Sequence, residues 1–131
     1  MRQTKESLQF LTSDQCPGFA IVPWGLDAPL MCCGQQLQKL VPGQVDAAVE
    51  KHQPVVLRQD DTVTVEVGQN HHPMGEEHLI DWVFLQTDCG GHYHLLTAQS
   101  QPVCQFVLAP GESPVAVYAH CNLHGLWRQD I

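Results

Sequence analysis

Between Thr62 and Val67 apolar and polar residues alternate strictly, with Val63, Val65 and Val67 on one side and Thr62, Thr64 and Glu66 on the other. A period of two is the signature of a strand that buries one face. Less regular apolar stretches at Val55 to Arg58, Leu79 to Leu85, Tyr93 to Thr97, Cys104 to Leu108 and Val115 to Ala119 predict further strands. Turn signals separate them, among them Gln59-Asp60-Asp61, Gly90-Gly91 and Pro110-Gly111, where glycine, proline and aspartate favour reversal of the chain. Helical periodicity is confined to Gln44 to Glu50, enough for a turn or two. Short strands at this spacing predict an all-β fold, an antiparallel sandwich.

The first forty residues differ. Pro17-Gly18, Pro23, Gly25, Pro29, Cys32-Cys33-Gly34 and Pro42-Gly43 interrupt a segment too short to enclose a core of its own, and such a piece ordinarily needs a metal or a partner. A boundary near Pro42-Gly43 divides an N-terminal domain, 1–42, from a larger domain, 43–131.

Composition narrows the function. With 131 residues, 44% apolar and only 15% charged, the chain has too much hydrophobicity for a disordered protein. Fourteen acids against six bases, a net charge of -8, argue against nucleic-acid binding, which needs clustered cations. No run approaches a membrane span and Met1 to Glu6 is polar, so no membrane association and a cytoplasmic location are expected. Six cysteines without a secretory context, together with eight histidines, favour metal binding over a disulfide framework.

Three segments carry that chemistry. In His120-Cys121-Asn122-Leu123-His124-Gly125-Leu126-Trp127, a cysteine and a histidine three apart sit in a tight turn closed by Gly125, a spacing that lets thiolate and imidazole grip one ion. In His71-His72-Pro73-Met74-Gly75-Glu76-Glu77-His78, a loop leading into a predicted strand presents two histidines six residues apart. The third, Glu50-Lys51-His52-Gln53-Pro54, holds the only lysine after Lys39, beside a histidine. Taken singly, each also fits a bland reading as a buried thiol, surface histidines or a solvated charge.

Together, Glu50-Lys51-His52-x-Pro54, His72-Pro73-Met74-x-x-x-His78-x-Ile80-x-Trp82 and Cys121-Asn122-x-His124-Gly125-x-Trp127 resemble the superoxide reductases of the desulfoferrodoxin and neelaredoxin type. The resemblance covers nearly the whole chain, since Met31-Cys32-Cys33-Gly34 and Val45-Asp46-Ala47-Ala48 are similar to the desulforedoxin-like segment and linker of two-iron members. It implies an immunoglobulin-like β-sandwich holding one non-haem iron, with His52, His72, His78 and His124 as equatorial ligands and Cys121 as axial thiolate. The position opposite sulfur would stay open for superoxide, reduced by one electron to hydrogen peroxide. Lys51 would attract the anion and help deliver a proton, and Glu50 would occupy the open position in the resting ferric state. The backbone N–H groups of Leu123 and His124 would point at the Cys121 sulfur. Ile80, Trp82 and Trp127 read mainly as core, with a minor role in screening the site. The resemblance further implies re-reduction by an electron carrier such as rubredoxin, and a homodimer.

The N-terminal segment departs from the family. Two-iron members place four cysteines around a second iron, whereas Cys16, Cys32 and Cys33 are here preceded by Ser13 at the first position. A serine hydroxyl is far harder to deprotonate than a thiol, so this site is expected to hold no functional second iron. His71, His92, His94 and His120 have no matched role, and Cys89 and Cys104 are expected to be buried free thiols. Two other classes compete with the enzyme. An electron carrier with a blue-copper-like site would want a weak axial ligand such as methionine after His124, and none follows. A zinc-stabilised binding module would not need a fifth ligand.

Overall fold

In the computed structural model, residues 8–23 and 28–131 are described, the side chains of Cys16 and Pro17 excepted. The chain is almost entirely antiparallel β-structure and divides into two compact units, Met1–Val41 and Pro42–Ile131. In the first, β1 (Gln9–Ser13) lies between β2 (Cys16–Val22) and β5 (Gln38–Lys39). A separate hairpin joins β3 (Met31–Cys32) to β4 (Gln35–Gln36). Its two turn residues, Cys33 and Gly34, both have positive φ, 51° and 76°, as a primed hairpin turn demands.

The second unit holds two sheets. One orders β10 (Val103–Val107), β7 (Thr62–Val67) and β6 (Pro54–Gln59). The other orders β12 (Gly125–Asp130), β11 (Pro114–Cys121), β8 (Ile80–Thr87) and β9 (Gly91–Leu95). Their inner faces share one core: Val63, Val65, Val67 and Phe106 from the first sheet, with Ile80, Val83, Leu85, Val117, Ala119 and Cys121 from the second. The alternation seen in the sequence is thus realised in β7, whose three valines are fully buried.

Two elements differ from the sequence reading. The predicted helical stretch from Gln44 to Glu50 is instead the single turn α1 (Val49–His52), too short to be stable alone. Tertiary hydrogen bonds hold it, with the Asn70 N–H donating to the Glu50 carbonyl and the Gly68 N–H to that of Gln53. The sequence pattern does not mark strand β12, because His120 to Trp127 reads as a ligand-bearing turn. The turn is real but tight, and the chain reverses so that Cys121 pairs with Gly125 and Ala119 with Trp127.

One end of the unit gathers the chemistry. Cys121 closes β11 directly opposite Ile80, the first residue of β8. The loop from Gly68 to Leu79 leads from β7 into β8, and α1 runs into β6. Among the described residues no helix is long and apolar enough to cross a membrane.

Candidate metal centre

His52 ends α1, His72 and His78 lie on the loop before β8, and Cys121 and His124 flank the turn between β11 and β12. The five donor atoms lie within 4.8 Å of one another. Neighbouring imidazole centroids are 4.7 Å apart for His52 and His72, 4.6 Å for His72 and His78, 5.1 Å for His78 and His124, and 4.9 Å for His124 and His52. The His52 to His78 diagonal is 6.5 Å. Each neighbouring pair is steeply inclined, between 74° and 88°. The four rings therefore stand like paddles around the corners of a near-square, with a cysteine sulfur beside them.

Hydrogen bonds settle which nitrogens face inward. His52 Nδ1 is 2.6 Å from the Ala48 carbonyl, and His72 Nδ1 is 2.7 Å from the Pro73 carbonyl. A carbonyl only accepts, so both Nδ1 atoms carry the proton and each neutral ring turns an Nε2 lone pair toward the centre. His52 Nε2 lies 3.0 Å from His124 Nδ1. The Nε2 atoms of His72 and His78 are buried without a hydrogen-bond partner. Buried ring nitrogens left bare in this way cost free energy, and a cation bound by converging lone pairs removes the cost. Soft sulfur with four imidazoles suits a first-row transition ion better than calcium or magnesium, which prefer oxygen.

Electrostatics agree. Burial, with the neighbouring imidazoles His52, His78 and His124, lowers the His72 pKa to about 4 despite the opposing bond to Pro73. Burial is also the main cause that lowers His78, followed by His124, His52 and the nearby Lys51 charge. The His72 and His78 rings are thus held neutral and ready to ligate at physiological pH. Burial raises the Cys121 thiol, while the backbone N–H groups of Leu123 and His124 pull the other way and Asp81 adds to the rise. The His124 N–H to Cys121 Sγ distance is 3.4 Å. A metal displaces that thiol proton, so binding must release protons.

Acidification of the metal-free protein is a direct check. His72 has its folded pKa depressed below the unfolded value, so the unfolded chain binds more protons between pH 6.5 and about 4. Stability of the metal-free form is expected to be flat above pH 6.5 and to drop by a few kcal/mol as pH falls through that window. Denaturant titrations at pH 7.5 and 4.5 measure it, and equal stabilities would contradict the buried neutral ring.

The residues left over have structural places. His120 Nδ1 donates to Asp81 Oδ1 at 2.7 Å and its ring stacks on Trp82. His71 pairs with Glu66, His92 with Glu112, and His94 sits edge-on to Phe106. Cys104 is buried, its pKa pushed up to about 12 by desolvation. Cys89, expected to be buried, is instead an exposed free thiol, because it lies on the turn between β8 and β9. Glu50 and Lys51 are both exposed beside the buried His52. Trp127, read as core, is core and more: its ring stacks on His52 at 5.0 Å, and its Nε1–H donates to the His124 carbonyl at 3.1 Å. Its place three residues after His124 is the only sequence signal of that role.

In the N-terminal unit, Ser13 pairs with Cys16 across the hairpin, and its hydroxyl lies 3.4 Å from Gln35 Oε1. Cys32 is disulfide-bonded, and Cys33 is exposed beside it, the two sulfurs 3.9 Å apart. The Cys16 side chain lies outside the described residues.

These features define an all-β protein with a four-histidine, one-cysteine cluster that could hold a metal ion. The family model for desulfoferrodoxin matches residues 44–130, and the chain belongs to the desulfoferrodoxin family. A desulfoferrodoxin from Syntrophotalea carbinolica is 36% identical over 95% of this chain and 98% of its own length. The crystal structure of the superoxide reductase from Treponema pallidum superposes with a TM-score of 0.82 at 32% identity, covering 94% of this chain and 97% of that one. A one-iron superoxide reductase from Giardia intestinalis matches 63% of this chain and 97% of its own, with a TM-score of 0.56 and 25% identity.

Proposed function

We propose that the protein is a superoxide reductase, an enzyme that reduces superoxide by one electron to hydrogen peroxide at an iron held by His52, His72, His78, His124 and Cys121. The observation that carries this reading is the near-square of four imidazoles joined by a buried cysteine sulfur. Four-coordinate structural zinc has no use for a fifth donor. Bound iron would supply the reducing electron and, with five protein ligands, one further coordination position for a small anion.

The protein's own residues account for the rest. His52 and His72 are held as fixed acceptors by their Nδ1–H bonds, so little reorganisation accompanies turnover. The two N–H groups directed at Cys121 stabilise negative charge on sulfur and moderate its donation to the metal. Lys51 places a positive charge at the solvent side of His78. In a chain of net charge -8, a local cation is needed to draw an anionic substrate inward, and its ammonium can organise a proton-donating water. With iron bound, the exposed Glu50 would be the carboxylate available to the open coordination position. A small electron carrier of the rubredoxin kind restores the reduced metal, a homodimer is the working assembly, and the cytoplasm is its location.

The test is pulse-generated superoxide mixed with iron-loaded protein, followed by peroxide assay. Stoichiometric peroxide without evolved oxygen is expected. Lys51→Ala should slow the bimolecular step about tenfold or more and flatten its salt dependence, with iron content unchanged. Zinc uptake alone, with no reaction toward superoxide, would leave a structural metal domain in place of the enzyme.

A further inference from the structure

The metal-centre residues are aimed by different means. His52 is fixed through its Nδ1 and by the Trp127 ring, and His72 through its Nδ1. His124 is tied by its carbonyl to Trp127 and by its own N–H to Cys121. His78 has no ring hydrogen bond among the described residues, and its Nε2 is buried and bare. Its ring must therefore be aimed by the backbone that carries it.

That backbone is gripped by one residue of another ligand's turn. Asn122 Oδ1 accepts the Leu79 N–H at 2.9 Å, and Asn122 Nδ2 donates to the Glu77 carbonyl at 3.0 Å. The Asn122 N–H also donates to the Leu79 carbonyl at 3.2 Å. Both neighbours of His78 are thus bonded to the residue that immediately follows Cys121. On the inner side of this clamp the β8–β11 ladder skips Asp81, pairing His120 with Trp82 and then Cys121 with Ile80. Such a bulge re-aims a strand end but breaks the regular register that would otherwise fix it. Past the bulge, Asn122 restores the link between the two chains. Leucine or alanine here would leave the Leu79 N–H and Glu77 carbonyl to water.

We propose that Asn122 is a positioning residue of the metal centre: its carboxamide joins the His78 loop to the Cys121 turn and sets where His78 Nε2 stands relative to the Cys121 sulfur. The proposal rests on the reading of these five residues as a metal site. It assigns to Asn122 no contact with metal or substrate.

Asn122→Ala removes both side-chain bonds, whereas Asn122→Asp keeps the acceptor for Leu79 and loses the donor to Glu77. Cobalt(II) serves as probe, giving a thiolate-to-metal absorption that reports the sulfur bond, with release to a chelator reporting the grip. Outer partners of ligands typically contribute 10–100-fold in affinity. Release from Asn122→Ala is therefore expected to be about tenfold faster or more, with the thiolate absorption shifted, and Asn122→Asp should fall between it and the parent. In the metal-free protein, hydrogen exchange at the Leu79 amide should accelerate in Asn122→Ala but less in Asn122→Asp. Release within twofold of the parent in both variants, with an unmoved absorption band, would overturn the proposal. A parent protein that takes up no cobalt would instead overturn the metal-site reading, and the amide exchange would still report on the clamp.

Discussion

Gly68→Ala is expected to cripple the metal centre without touching a ligand. Gly68 has φ +90°, and a Cβ there would stand 2.4 Å from the Asn70 carbonyl oxygen, 2.6 Å from that of Lys51 and 2.8 Å from the Lys51 carbonyl carbon. All three are backbone atoms, so no side chain can swing aside. The displaced segments are the ones that matter, since Lys51 precedes His52 and Asn70 lies two residues before His72. Positive φ alone costs about 1–2 kcal/mol for an L-residue, and forced separation of packed backbone adds to it. A loss of a few kcal/mol in a domain of this size lowers the melting temperature by roughly 10–20 °C. Metal affinity should fall as well, because two of the five donors shift. Gly111→Ala is the control: φ there is +81°, but nothing lies within 4 Å of the added methyl. It carries the conformational cost alone, so metal binding should be unchanged. Thermal unfolding with and without metal, plus a metal titration, measures both. If Gly68→Ala resembles Gly111→Ala, the close approach of α1 to the loop is not what sets the ligand positions.

Cys121→Ser should be still more selective. Cys121 is fully buried at the end of β11, in the shared core and among the ligands. Serine preserves size and the backbone, yet its hydroxyl does not ionise near neutral pH and is a harder donor than thiolate. Metal affinity is expected to fall by more than the roughly 10–100-fold that loss of an outer partner costs. The thiolate-to-metal absorption should vanish outright, and with it the proposed reduction of superoxide. The proton released on metal uptake from the Cys121 thiol should be lost too, which calorimetry in buffers of different ionisation enthalpy can count. Persistence of the absorption in Cys121→Ser would remove Cys121 from the site.

Much of this was legible before any coordinates. The alternation in Thr62–Val67 is a local consequence of pleat geometry, and β7 appears there with the same bounds. Six of the seven strands of the larger unit follow from such patterns and their turns. The motifs also named the five residues that converge, because loop spacing and residue type are properties of the chain itself. Strand β12 was hidden, since a turn and a strand overlap in the same eight residues around His124 and Gly125. The helical turn expected at Gln44 to Glu50 lies instead at Val49–His52, because spacing over seven residues cannot outweigh the cost of nucleation without a surface to pack on.

What the sequence determined by itself was the strand pattern, the supply of soft donors and their order along the chain. Tertiary structure alone decided that residues as distant as 52 and 124 bring ring nitrogens to 3.0 Å, that Gly68 must lack a side chain, that Trp127 touches His52 and His124 and that Asn122 bonds both neighbours of His78. Local patterns encode which face of an element is buried, whereas a metal centre depends on distances between elements, and those arise only when separate segments pack against one another.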